Sequence, residues 1–188
     1  NKSIYSVDQY VKFDSYLWRH QFLLTKQFES YHQLNLPKYF AHQNSDLMNY
    51  DISYWYVQFK FFNKIYDSNL VYFPVIKQLL AKNSNIVTCF LSVMEQAKYI
   101  PYHRGPYNGL LRYHFPIITT LKDENDSYLE VMGKKLYTKH SFLFDDTYPH
   151  RLIKNNADLR VVLICDIDNP FLSWFKPHKF LPTSLFSP

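Results

Sequence analysis

The stretch Leu110-Leu111-Arg112-Tyr113-His114-Phe115-Pro116-Ile117-Ile118-Thr119-Thr120 follows the turn sequence Pro106-Tyr107-Asn108-Gly109. It is rich in β-branched and aromatic residues and reads as a strand. Side chains alternate across a strand, so Arg112 and His114 share one face, with Leu111 and Tyr113 on the other. One face is apolar and the other is cationic or hydrogen-bonding. Turned into a barrel, the second face makes a small anion-binding cavity.

Working outward, further strands are predicted over Ile86–Met94, Tyr128–Met132, Lys135–Thr138, Ser141–Phe144 and Leu159–Ile167. The turn-forming runs Asp123-Glu124-Asn125-Asp126 and Met132-Gly133-Lys134 separate several of them. Short strands at close spacing, with no helix between, indicate an antiparallel sandwich or barrel. Upstream, apolar residues from Val7 to Leu34 recur at three- and four-residue steps, which predicts helix with room for a break or two. Residues 35–53 are polar, carry Pro37, and read as a loop. Tyr54 to Tyr66 is densely aromatic and reads as core. Phe73 to Lys82 reads as a helix, with Pro74 near its first turn. The expectation is one domain over 1–188: a mostly helical part at 1–82, a β-barrel core at 83–170, and a tail at 171–188. That tail holds Trp174 and three prolines and is expected to pack on the barrel.

The chain has 188 residues, 47% hydrophobic and 20% charged, which suits one globular domain with a sizeable core. It has only 3 glycines, too few for a Walker or dinucleotide loop. The net charge of +5 is mildly basic and is scattered, with no run of four basic residues. Anionic partners are favoured in general, and a nucleic-acid partner is not expected. Cys89 and Cys165 lie in apolar, β-branched runs and read as buried thiols, so a reducing compartment is expected. The longest uncharged apolar stretch, Asn83 to Met94, is too short to span a bilayer. The chain starts at Asn1, so an upstream membrane anchor removed from it remains open. The expected location is the cytoplasm, or a membrane surface facing a reducing compartment.

All three glycines lie between residues 105 and 133, and four of the five arginines lie between 104 and 160. His103, His114 and His150 fall in the same region. His103 and His150 sit at loop or strand-edge positions, where neutral imidazole suits iron, zinc or copper; two surface histidines is the plainer reading. Arg160 opens the most apolar strand and needs an anion, from either a protein carboxylate or a ligand carboxylate. Asp145 and Asp146 could order a histidine N–H or simply form a solvated turn. His20, His32, His42, His140 and His178 read as surface residues.

These residues resemble a known family. His103-Arg104-Gly105-Pro106, Leu111-Arg112-Tyr113-His114, Phe144-Asp145-Asp146-Thr147-x-x-His150, Arg160 ten residues on, and Asp166-x-x-x-Pro170 together resemble the aspartyl/asparaginyl β-hydroxylases. The likeness covers about residues 86–170. It implies a double-stranded β-helix and an enzyme, a 2-oxoglutarate-dependent dioxygenase using Fe(II), 2-oxoglutarate and O2. By the same likeness, His103 and His150 bind iron, and Arg160 with Ser92 takes the distal carboxylate of 2-oxoglutarate. His114 and Arg112 contact the carboxylate nearer the metal, with Asp145 and Asp146 behind the histidines. Gly105 stands where most such oxygenases carry an acidic ligand, leaving a coordination position for water, or for halide as in the halogenases. The implied reaction is hydroxylation of an unactivated C–H bond, with succinate and CO2 released. Two substrate classes follow: peptidyl Asp or Asn, which Gly105 favours, and lipid acyl chains, whose enzymes share the run Gly-x-Leu-Arg-Tyr-His. A non-catalytic β-barrel binding module is the remaining alternative.

Overall fold

A computed structural model describes residues 2–36, 39–40, 54–119 and 123–172. In chain order the elements are β1 (Ile4–Tyr5), α1 (Val7–Tyr10), α2 (Asp14–Gln33), β2 (Tyr39–Phe40), β3 (Tyr54–Phe61), β4 (Lys64–Ile65), α3 (Asp67–Leu70) and α4 (Pro74–Lys82). There follow β5 (Ile86–Met94), β6 (Lys98–His103), β7 (Leu110–Thr119), β8 (Ser127–Val131), β9 (Lys134–Tyr137), β10 (Phe142–Phe144), β11 (His150–Lys154) and β12 (Arg160–Asp168). Every strand pairing is antiparallel. An eight-stranded sheet in the order β1-β10-β7-β12-β5-β3-β2, with β4 on β3, faces a four-stranded sheet in the order β6-β11-β8-β9. This is the double-stranded β-helix that the resemblance implies.

Alternation along the strands builds two cores. Leu111, Tyr113, Phe115 and Ile117 of β7 and Val161, Leu163 and Cys165 of β12 point away from the smaller sheet. They pack beneath Leu17, Leu24, Phe28 and Tyr31 of α2 and Val75, Ile76 and Leu79 of α4. These helices cover a face that an antiparallel sheet would otherwise leave to water, which is why β5 and β12 are buried on both sides. The buried Tyr113 hydroxyl donates to Asp14 Oδ1 at 2.5 Å and ties the start of α2 to β7. A second core, containing Ile100, Leu129, Val131, Phe142, Phe144 and Leu152, lies between the sheets. The alternate residues of β7, Arg112 and His114, project into that space.

The mostly helical reading of residues 1–82 needs correction. The aromatic run at Tyr54 is a central strand, paired with β5 along its length, and β1 adds a short edge strand. Dense aromatics on both faces erase the alternation that marks a strand. Four other strands also escape the sequence reading, two of them only two residues long: β2, within the expected 35–53 loop, and β4. β6 contains Pro101, which reads as a break. β11 is short and carries charge at Arg151 and Lys154. A break of the kind allowed between Val7 and Leu34 falls at 11–13. Residues 132–133 form the predicted turn, a two-residue hairpin with φ of 49° at Met132 and 77° at Gly133. Cys89 and Cys165 are buried free thiols facing each other across β5 and β12, with sulfurs 3.7 Å apart. Phe171 packs on Tyr5 and Tyr10, but the rest of the expected tail packing, Trp174 included, lies outside the described residues, as does most of the 35–53 loop. No helix among the described residues is long and apolar enough to cross a membrane.

Phe28 is 1% exposed and Phe22 is 76% exposed on the same helix. Phe28→Ala should therefore cost about 3–5 kcal/mol of stability in urea unfolding. Phe22→Ala should stay within about 0.5 kcal/mol of the parent protein. Equal losses would contradict the assignment of the inner face of α2.

Candidate active site

His103 is the last residue of β6 and His150 the first of β11, and the register of those strands sets the two opposite each other. Their ring centroids are 4.1 Å apart. Each Nδ1–H donates to a backbone carbonyl two residues earlier, Pro101 at 2.9 Å for His103 and Tyr148 at 2.8 Å for His150. That fixes the tautomer and leaves Nε2 of each ring as a lone-pair donor, the form that ligates a metal. Burial lowers both pKa values, that of His150 to about 4, so both rings are neutral near pH 7.

Arg112 is held by two carboxylates. Its Nε and Nη2 donate to Asp166 at 2.7 and 2.9 Å, and its Nη1 lies 3.0 Å from Asp146 Oδ2. Asp166 also accepts from the Thr88 hydroxyl at 2.6 Å. Burial opposes the Arg112 charge, but the two carboxylates outweigh it and raise the pKa. Among the described residues three of the five guanidinium donors are used, which leaves two for the cavity that Arg112 lines. Gly105 donates its N–H to the Asp146 carbonyl at 2.7 Å. A Cβ at position 105 would meet Asp146 Oδ2 at 1.9 Å. The glycine is thus required by the close approach of Asp146, whose carboxylate fills the place of a side chain there. Burial raises the Asp146 pKa, while Arg112 works against the rise.

The acid pair therefore divides. Asp146 faces Arg112 and Gly105. Asp145 forms a local turn, accepting from the N–H and hydroxyl of Thr147 at 3.0 and 2.6 Å. Neither carboxylate holds a histidine N–H, because the Pro101 and Tyr148 carbonyls do so.

One cavity between the sheets is lined by His103, His150, Arg112, His114, Ser92 and Arg160. Arg160 is 3% exposed, and its Nε and Nη2 have no hydrogen-bond partner. Its Nη1 meets only the sulfur of Met94, at 3.8 Å. Burial pushes the Arg160 pKa down to about 10, still well above neutral, so the charge persists. Among the described residues no carboxylate pairs with it, which disfavours the protein-carboxylate reading of this strand-mouth arginine. His114 is buried and stacks beside Phe142 at 4.8 Å, and its Nδ1 has no partner. Burial, then Arg160 and Arg112, hold its pKa well below the usual histidine range.

Among the described residues no three His, Cys, Asp or Glu side chains converge as a metal cage. The donor set is two neutral histidines whose free nitrogens face one cavity, with an unpaired guanidinium on the same wall. That chemistry fits iron(II) bearing a dicarboxylate ligand. Sequence reasoning missed Asp166 as a partner of Arg112, and also Tyr54, Met94 and Phe144 in the lining. Alternation puts Asp166, Ile164, Val162 and Arg160 on one face of β12, but the pairing of Asp166 with Arg112 depends on strand register.

A family model described as aspartyl/asparaginyl beta-hydroxylase matches residues 18–170. An ornithine lipid ester-linked acyl 2-hydroxylase of Rhizobium tropici is 30% identical over 124 residues, 64% of this chain and 42% of that protein. The chain thus spans less than half the length of that relative. Among solved structures, a Trichoplax adhaerens prolyl hydroxylase bound to a peptide fragment of hypoxia inducible factor aligns over 81% of both chains at TM-score 0.51 and 12% identity. A 2OG-Fe(II) oxygenase family oxidoreductase from Burkholderia pseudomallei aligns over 77% of both at TM-score 0.50 and 11% identity. At such identities these two carry the fold alone.

Two outcomes follow from the geometry. Gly105→Ala should displace Asp146 from Arg112 and cost about 1–3 kcal/mol in urea unfolding; unchanged stability would contradict the close approach. An unfolded histidine gains its proton near pH 6.5, but folded His150 does so only near 4. Between those values the unfolded state binds more protons, so stability rises with pH. The metal-free protein should weaken as pH falls from 6.5 towards 4, and His150→Gln should weaken less across that window. A parallel pH dependence in the two proteins would contradict a neutral, buried His150.

Proposed function

The chain belongs to the aspartyl/asparaginyl β-hydroxylase family, and from that premise we propose that it is an iron(II)- and 2-oxoglutarate-dependent dioxygenase. The observation that carries the reading is Arg160, a buried guanidinium without a protein carboxylate, on the wall of a cavity shared with two histidines free at Nε2. Iron(II) held by His103 and His150, with 2-oxoglutarate and O2, supplies the oxidising power for C–H hydroxylation. The residues of the chain do the rest. Arg160 pairs with the distal carboxylate as a two-pronged donor, and Ser92 adds a hydroxyl from the adjacent strand. His114 and the two spare N–H groups of Arg112 serve the carboxylate nearer the metal. Asp146, whose carboxylate stands where a side chain at position 105 would be, would offer a hydrogen-bond acceptor to a water held there. Leu129, Phe144 and Leu152 line the cavity with apolar surface and limit water around the reacting groups.

For the substrate we favour a lipid acyl chain over a peptidyl Asp or Asn. The curated relative acts on an ester-linked acyl chain. Arg104, exposed at the edge of the site and hydrogen-bonded only to the Thr147 carbonyl among the contacts described, suits the polar end of a lipid. A lipid substrate places the enzyme at a membrane surface, where its net charge of +5 favours anionic lipid. The peptidyl reading rests on Gly105, which is also explained by the approach of Asp146.

The test supplies iron(II), 2-oxoglutarate and O2 with either an ester-linked acyl lipid or an Asp- and Asn-containing peptide, and follows succinate and product mass. The expected result is succinate in step with lipid that has gained one oxygen, lost in Arg160→Ala. Oxygenated peptide with unchanged lipid would overturn the substrate. Oxygenation without 2-oxoglutarate would overturn the reaction class.

A further inference from the structure

The strand register places a second polar group at the Arg160 end of the cavity. Tyr54 of β3 pairs with Met94 of β5, and Met94 pairs with Arg160 of β12. The three residues form one lateral row on the same face of the larger sheet, with Tyr54 two strands from Arg160, about 10 Å between backbones. Tyr and Arg side chains are long enough to lean over Met94 towards each other. Tyr54 is 7% exposed and lines the cavity together with Arg160 and Ser92.

The hydroxyl of Tyr54 is already oriented by its neighbour. Tyr56 Oη donates to Tyr54 Oη at 2.5 Å. Burial first, and Tyr54 second, hold the Tyr56 pKa well above the usual phenol value, so Tyr56 stays protonated and able to donate. A hydroxyl that accepts one hydrogen bond still has a proton to give. Among the described residues nothing accepts that proton from Tyr54. Lys154, the other buried cation near Arg160, is already spent on the carbonyls of Gln96 and Asn156 at 3.0 and 2.6 Å.

We propose that Tyr54 is a binding residue for the far carboxylate of the cosubstrate, donating its hydroxyl proton beside the Arg160 fork, with Tyr56 as its positioning residue. The inference rests on the 2-oxoglutarate reading above and extends it to a tyrosine pair on β3. A carboxylate offers about four lone-pair sites. The Arg160 fork takes two, which leaves acceptor capacity for Tyr54 and Ser92. The pair selects a 2-oxo acid that carries a second carboxylate, and it gives nothing to a 2-oxo acid without one.

Calorimetric titration of the intact protein tests this, with manganese(II) bound and oxygen absent, so that binding is read without turnover. 2-Oxoglutarate and pyruvate, which lacks the far carboxylate, are titrated into the parent protein, Tyr54→Phe, Tyr56→Phe and Arg160→Ala. Tyr54→Phe should weaken 2-oxoglutarate about tenfold and leave pyruvate unchanged, the effect of losing one hydrogen bond to a charged group. Tyr56→Phe should weaken 2-oxoglutarate about threefold, because it removes only the group that orients Tyr54. Should Tyr54→Phe fail to fold, the Tyr56→Phe result decides in the same way. Unchanged 2-oxoglutarate affinity in both tyrosine variants, with loss in Arg160→Ala, would overturn the role of Tyr54 and leave the cosubstrate reading standing. Failure of the parent protein to bind 2-oxoglutarate would overturn that reading and this inference with it.

Discussion

Arg112 is clamped between two buried carboxylates from separate parts of the chain, and the geometry around His103 and His150 follows from that clamp. Asp166 belongs to the neighbouring strand β12 and is itself fixed by Thr88 of β5. Asp146 belongs to the segment that leaves β10 and leads into His150. The guanidinium therefore ties three strands of the larger sheet to the loop that delivers a candidate ligand to the smaller one. Removing one carboxylate would leave a buried charge short of a partner, a costly change in a low-dielectric interior. The same clamp presses Asp146 against Gly105, which is why a residue without a side chain stands at that position.

The cavity is electrostatically lopsided. Arg112 is neutralised, whereas Arg160 is not. Burial works against a lone charge, and a protein carboxylate would have been the simple remedy. Among the described residues that remedy is missing, and Met94, Ser92 and Tyr54 line the cavity with Arg160 instead. On the proposed reading, this buried arginine awaits an anion that arrives from outside. The two histidines complement it: neutral, fixed through Nδ1 and open at Nε2.

Much of this was legible in the sequence, for identifiable reasons. The strand Leu110–Thr119 could be read because Arg112 and His114 alternate with apolar neighbours, and α4 because Pro74 opens it. His103, His150 and Arg160 could be read because they sit in short motifs with fixed spacing. The strand β3 could not, because Tyr, Trp and Phe crowd both of its faces and hide the alternation. Asp166 as a clamp and Tyr54 as cavity wall were hidden for a different reason. Their partners lie on neighbouring strands, 54 residues away in the case of Arg112 and Asp166. Register between distant strands is a property of the folded sheet. The division of labour between Asp145 and Asp146 was hidden likewise, since both sit in one turn and only packing against Gly105 separates them.

On the proposed reading one cavity holds a metal at its histidines and a dicarboxylate at its unpaired arginine. A crystal structure of the protein with manganese(II) and N-oxalylglycine, an unreactive analogue of 2-oxoglutarate, tests it most directly. The account predicts the metal on Nε2 of both His103 and His150, and the far carboxylate of the analogue on the Arg160 guanidinium. A metal held elsewhere, or an analogue whose far carboxylate leaves Arg160 unpaired, would contradict it.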